Sequence, residues 1–283
     1  MEYKYNEREY AKKIYEEGFQ TRFIKYELVI LVKYLKELGK TKKDTETEVY
    51  DFCERYINKF NKIKYYKTID GAVRDGRKKN NNLIVLDSIA IMRSELEHID
   101  KIDIEYEHKK LLLSMLISKK ISFELSKIQP QQTEENKKLS LYIGGSSKKF
   151  KEIFKLANIT GKYEVDGKYY TYKVDDMINE LVKKGLVSSL DNHSGLICLD
   201  CLKDISQDGE IFYELKNKDF DNLGNIFDYY KGENKIKSCE ECRSLFKQKA
   251  NNQKKCLDCA KKFKQKQTNL CKQIKKEESR KPL

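Results

Sequence analysis

The chain has 283 residues, room for one large domain or two to three small ones; at 36% charged, 39% hydrophobic and a mean hydropathy of −0.78 it holds no run of the length and apolarity a membrane span needs. Two prolines and thirteen glycines, against 58 Lys+Arg and 45 Asp+Glu, argue for a helix-rich protein and against an all-β sandwich or a linker array. The net charge of +13 is concentrated in residues 232–283, where 16 Lys+Arg face 6 Asp+Glu for a balance of +10, and such a patch draws phosphate backbones by counterion release.

The opening MEYKYNEREYAKK lacks the apolar stretch and cleavage site of a secretory signal, so the expected location is cytoplasmic. From Thr21 to Leu38, Ile24, Leu28, Leu31, Leu35 and Leu38 recur at helical spacing, and Gly39 marks the stop. A second helix is expected after Asp44 or Thr45 as caps, with Val49, Phe52, Cys53, Tyr56, Ile57 and Phe60 on one stripe. Leu83–Ile91 (LIVLDSIAI) reads as a strand. His108–Leu125 is apolar on most sides and predicts a buried central helix.

After the polar loop IQPQQTEENKK, Leu139–Ile143 predicts a short strand ending at Gly144-Gly145. Ser146 or Ser147 then caps a helix carrying Phe150, Ile153, Phe154 and Ala157 on one face. A loop with Gly161 and Gly167 leads to a helix over Tyr172–Lys184 with Val174, Met177, Ile178, Leu181 and Val182 on its apolar face, ended by Gly185. Leu186–Leu190 and Gly195–Leu202 flank Asp191, Asn192, His193 and Ser194 as the arms of a hairpin.

This order, with the KKGLV junction, resembles a winged helix across roughly residues 108–203. The resemblance implies that Tyr172–Lys184 is the reading helix, with Lys173, Asn179 and Lys183 toward nucleic acid, and that Leu186–Leu202 is the wing. Asp175, Asp176 and Glu180 share that solvent face and repel phosphate, and the alternative use of such a domain is protein contact.

The strongest chemical signal is Cys239-x2-Cys242 followed by Cys256-x2-Cys259. Paired C-x2-C turns offer four thiolates from tight loops, a donor set suited to one tetrahedral Zn2+. A closed shell of four sulfurs leaves no open position for substrate, so the expected ion is structural. Ser244–Lys255 predicts a hairpin turning at Asn251-Asn252, and a lysine-studded helix follows from Cys256. The segment resembles a treble-clef finger. It is also similar to a short finger at the ends of uncharacterised phage and mobile-element proteins of low-GC Gram-positive bacteria, in which C-x2-C, a phenylalanine and Q-K-x-C-x2-C recur. The matching residues are Cys239, Cys242, Phe246, Gln253, Lys254, Cys256 and Cys259, while Arg243 stands where such knuckles often carry glycine.

Lys247, Lys249, Lys254, Lys255, Lys261, Lys262, Lys264 and Lys266 decorate the finger, and no arginine pair suited to reading guanine is present there, so grip on the phosphate backbone is expected rather than base readout. Cys198 and Cys201, with His193, form a weaker candidate for a second metal site; Cys271 reads as a free thiol, and His98 and His108 as isolated histidines.

No phosphate-cradling glycine loop, nucleophile elbow or H-E-x-x-H pair occurs, and no small-molecule substrate is evident. Glu214-x-Lys216, with Asp200, Asp204 or Asp208 upstream, resembles the acidic and lysine set of Mg2+-dependent nucleases and is a remote alternative.

The fold expected is mainly α (α+β): a helical region over 1–107 with a short strand, a winged-helix-like domain over 108–205, a connecting segment over 206–232, and a four-cysteine finger with a basic terminal helix over 233–283. The expected function is non-enzymatic binding of nucleic acid, double-stranded DNA foremost, in transcription regulation or replication. The alternative is an interaction or anti-defence factor docking on a host protein.

Overall fold

The computed structural model describes residues 5–128, 141–144, 147–159, 162–189, 197–203, 205 and 209–278, and within them the chain is mainly helical with small two- and three-stranded sheets. It divides into two units, Met1–Ile89 with Leu116–Ile143, and Ala90–Met115 with Gly144–Leu283. Among the described residues no helix is long and apolar enough to cross a membrane.

In the first unit, α1 (Glu7–Glu17) starts at Asn6, whose side chain accepts the Glu9 N–H at 3.1 Å. Helix α2 (Ile24–Glu37) buries Leu28, Ile30, Leu31, Val32 and Leu35, and the chain leaves it through Gly39 at φ +79°. Helix α3 (Lys42–Tyr56) begins before the expected caps. Thr41 is the cap: its hydroxyl accepts the Asp44 N–H at 3.2 Å and donates to the Asp44 carboxylate at 2.6 Å, so Asp44 answers the cap from inside the first turn. Val49, Phe52 and Cys53 are buried, whereas Ile57 and Phe60 lie past the helix end and pack on the core from there.

Helix α4 (Lys62–Gly76) turns Ile69, Ala72 and Val73 inward. Its last residue has to be small, because a Cβ on Gly76 would stand 2.6 Å from a Val32 methyl. A buried ion pair, Lys33 to Glu7 at 3.0 Å, lies under the N-terminus, and the same carboxylate accepts the Ile84 N–H at 2.9 Å. That capture corrects the strand expected over Leu83–Ile91. Glu7 takes the Ile84 amide, Val85 makes only an isolated bridge to Asn6, and the strand β1 is confined to Ile89–Met92.

The second unit opens with β1, paired to β7 (Ile211–Leu215), and α5 (Arg93–Lys101), where the Glu95 carboxylate accepts the Met92 N–H at 2.9 Å. Helix α6 (Tyr106–Ile128) contributes residues to both units and buries Leu111, Leu112, Leu113, Met115, Leu116 and Ile117, as its all-round apolar sequence dictates. Strand β2 is Tyr142–Ile143; residues 139–140 and the cap candidate Ser146 lie outside the described residues. Helix α7 (Ser147–Leu156) buries Phe150, Ile153 and the following Ala157.

The glycine loop expected next is a hairpin. Strands β3 (Lys162–Val165) and β4 (Lys168–Thr171) pair in register, and Asp166-Gly167 turns between them at φ +50° and +73°, the left-handed pair that a two-residue hairpin turn requires. Helix α8 (Val174–Lys183) buries Val174, Met177 and Leu181 and ends at Gly185, φ +68°. Strands β5 (Ser188–Ser189) and β6 (Ile197–Cys198) form the expected hairpin in shortened form, and Asp200–Leu202 curls into a 3-10 turn instead of extending the second arm. Its turn residues 191–194 lie outside the described residues. After β7 come a 3-10 turn (Asn217–Asp221), α9 (Gly224–Tyr230), the pair β8 (Ile236–Ser238) and β9 (Leu245–Lys247), and α10 (Leu257–Glu278).

Candidate metal centre

The first knuckle is itself the turn of the β8–β9 hairpin, so the hairpin does not turn at Asn251-Asn252 as expected. Cys239 donates its N–H to Ser244 O at 3.0 Å and Arg243 donates its own to Cys239 O at 2.9 Å, closing a loop around Glu240, Glu241 and Cys242. The closure needs a left-handed residue, and Arg243 supplies it at φ +62°. Its carbonyl is held by the Ser238 hydroxyl at 3.0 Å and the Tyr213 hydroxyl at 3.3 Å. Asn251-Asn252 turns a separate loop, pinned by the Gln248 and Gln253 side chains onto neighbouring backbone.

The second knuckle opens α10: Ala260 donates to Cys256 O at 2.9 Å, so Cys256 and Cys259 sit one helical turn apart and face the same way. The four sulfurs of Cys239, Cys242, Cys256 and Cys259 lie within 4.8 Å of one another, with Cys242 and Cys256 at 3.8 Å, and this group can hold one metal ion. Cys239, Cys256 and Cys259 are buried together with Phe246, which closes the cage from the β9 side.

The electrostatics favour thiolate at one corner. Burial pushes the Cys239 thiol up, but the amides of Cys242, Cys256 and Glu241 point at its sulfur and bring it down to about 6; the Cys256 N–H stands 3.3 Å away. Cys242 and Cys259 are pushed up, first by burial and then, for Cys259, by hydrogen bonds with Cys256 and Cys242. One anionic sulfur beside crowded thiols is a donor set that a cation relieves, since it removes protons from the rest.

The four-cysteine segment is fastened to β7 and the 3-10 turn of its own unit. Asp219, buried in the 3-10 turn, accepts the Leu245 N–H at 2.8 Å through Oδ1, and the Lys216 N–H at 3.1 Å and Tyr213 hydroxyl at 2.9 Å through Oδ2. Burial raises its carboxyl above the usual range despite these donors. Nothing in the local sequence marks Asp219 apart from other acids of this charged chain; the signal is its place between β7 and β9.

The lysines between positions 247 and 264 divide into two groups. Lys254 pairs with Glu240 at 3.6 Å, and Lys255 pairs with Glu241 at 2.9 Å while lying 4.4 Å from the Phe263 ring centre, so these two are spent on the knuckle. Lys247, Lys249, Lys261, Lys262 and Lys264 are exposed on β9, the following loop and α10. Lys173, which precedes α8, and Asn179 and Lys183 on it are exposed beside Asp175 and Asp176, whereas Glu180 turns to the buried His108, with Oε2 3.1 Å from Nε2. His108 therefore belongs to the seam between α6 and α8, where Glu105 lies 3.7 Å from Nδ1 and accepts the Tyr172 hydroxyl at 2.8 Å. His98 contacts the Cys201 carbonyl at 2.6 Å.

Cys198 is buried and the Cys201 thiol is pushed up by burial to about 11; His193 lies outside the described residues. Cys271 is exposed. Glu214 pairs with Lys216 at 2.5 Å, Asp200 pairs with Lys203, and Asp204 and Asp208 lie outside the described residues. Among the described residues, Cys239, Cys242, Cys256 and Cys259 are the metal-ligating group that comes together.

Comparison with known protein families, with curated proteins and with solved structures finds no match to this chain.

Proposed function

We propose that this protein is a non-enzymatic nucleic-acid-binding protein whose terminal finger, built on a structural Zn2+, grips the phosphate backbone of duplex DNA. The observation that carries the reading is the coincidence of the four-sulfur group with the segment holding +10 of the chain's +13 charge. Zinc is favoured by the donors: four thiolates at about 2.3 Å from one ion stand about 3.8 Å apart at a tetrahedron's edge, and Cys242 and Cys256 stand 3.8 Å apart. Held this way, Lys247, Lys249, Lys261 and Lys264 are fixed on a small frame, so less conformational entropy is lost on contact than from a loose tail. Lys173, Asn179 and Lys183 of α8, in the winged-helix reading, add contacts, weakened by neighbouring Asp175 and Asp176. The similarity of the finger to those of phage and mobile-element proteins fits a role in transcription regulation or replication.

The test is duplex binding by the full chain and by K247E/K249E/K261E/K264E across a salt series. The variant is expected to bind at least about tenfold more weakly, with a salt slope smaller by up to about three to four. Equal affinity and equal slope overturn the reading. Truncation at Tyr230 is a poorer probe, because α9 packs on β8 and β9 and would be stripped.

A further inference from the structure

The first unit carries a cationic groove lined with aromatic rings. From Arg55 to Ile69 the chain holds Arg55, Lys59, Lys62, Lys64 and Lys67 and no Asp or Glu. The groove runs between α3 and the start of α4, with Lys62, Lys64 and Lys67 along it, Tyr50 from α3, and Ile63 and Tyr66 standing out at 89% and 58% exposure. Asp51 is the carboxylate in its wall. Tyr50 is buttressed by Phe60, ring centres 6.4 Å apart and close to edge-on, and Phe60 in turn stacks on Tyr65 at 5.6 Å.

Lys64 lies 5.7 Å from the Tyr65 ring centre, but the remaining choices are not ones a helix start favours. Lys62 and Lys64 sit in the first turn of α4, where the helix dipole is already positive and an acid would stabilise it. Ile63 and Tyr66 gain little from burial where they stand. Lysines that track a chain of phosphates, interleaved with an exposed ring on which a base can lie, are the chemistry of single-stranded nucleic-acid recognition. A duplex keeps its base faces inside the stack and has nothing to place on Tyr66.

We propose that the α3–α4 groove binds single-stranded nucleic acid, with phosphates on Lys62, Lys64 and Lys67 and a base stacked on Tyr66. The site lies in the first unit and does not rest on the finger.

The test uses the full chain with a labelled mixed-sequence single strand of about 20 nucleotides, the duplex of the same sequence, and a polyglutamate peptide. The variants are K62E/K64E/K67E, Tyr66→Ala and Tyr66→Phe; all four positions are exposed, and unchanged thermal melts verify folding. Charge reversal is expected to weaken single-strand binding at least about tenfold and reduce the salt slope by about two. Tyr66→Ala should weaken it about tenfold while leaving duplex binding unchanged, and Tyr66→Phe should restore it. Single-strand binding that survives the groove variants overturns the proposal, as does polyglutamate binding as tight as the strand. If K247E/K249E/K261E/K264E alone abolishes both ligands, the groove proposal falls and the finger reading stands; if only the groove variants lose affinity, the reverse holds.

Discussion

Tyr213 and Asp219 meet side chain to side chain at 2.9 Å, and through Asp219 the hydroxyl of a β7 residue and the amide of Leu245 in β9 share one buried carboxylate. Asp219→Ala leaves the Leu245 and Lys216 amides and the Tyr213 hydroxyl without that acceptor. We expect a loss of about 1–3 kcal/mol in urea unfolding. Amide exchange should show the loss first at Leu245 and its β8 neighbours; uniform exchange across the second unit would contradict the anchoring role.

The buried cluster around the four sulfurs consists of Cys239, Phe246, Cys256 and Cys259, too little apolar surface to hold two knuckles against the entropy of ordering them. On the proposed reading, binding of a metal at these sulfurs supplies folding free energy. Purified protein is expected to carry one zinc per chain, Cys256→Ser to carry none, and a chelator to remove the amide protection of the knuckles at Arg243, Cys256 and Ala260. Elemental analysis with hydrogen exchange checks this, and chelator-resistant knuckle amides would show that the four sulfurs are mere neighbours.

Periodicity made much of this chain readable. Phe150, Ile153 and Ala157 obey helical spacing and are buried along α7 and just past its end, while the unbroken run Leu111 to Ile117 marks a helix buried on all sides. C-x2-C spacing located the sulfur group because the knuckle is local chemistry. Features that depend on partners distant in sequence were not readable. Glu7 diverts the Ile84 amide and stops a strand, and Glu180, read as a solvent carboxylate, is turned to His108. Thr41 outcompetes Asp44 as cap since its hydroxyl can serve both the Asp44 amide and carboxylate. Glycine serves loops and two-residue hairpin turns alike, so Gly167 alone does not mark the Asp166-Gly167 turn, whose flanking Tyr and Val residues favour paired strands.

Arg243 occupies the left-handed conformation that the knuckle demands, at a steric cost that glycine avoids. Its backbone does the structural work, since both of its carbonyl's donors, Ser238 and Tyr213, ignore the side chain. Arg243→Gly is expected to leave metal content unchanged and to shift stability by up to about +1 kcal/mol, relief of strain being partly offset by the freedom glycine gains in the unfolded chain. Denaturant unfolding measures it. A large destabilisation would mean that the guanidinium itself packs or pairs in a way that matters.

His108 should make the second unit acid-sensitive. Burial holds its imidazole below the ordinary 6.5, even though Glu180 and Glu105 favour the charged form; Lys184 acts with burial, and Tyr172 stands edge-on to the ring at 6.2 Å. As pH falls below 6.5 the unfolded chain takes up a proton that the folded chain still refuses, so stability is complete above that value and declines on acidification toward the depressed folded value. The slope is bounded by about 1.4 kcal/mol per pH unit for one group. His108→Leu removes the titrating ring while filling its space, and the difference between wild-type and variant unfolding free energies should shrink steadily as pH is lowered through that window. A difference independent of pH would place the acid response elsewhere, in the carboxylates that titrate lower, and would leave the ring a packing residue between α6 and α8.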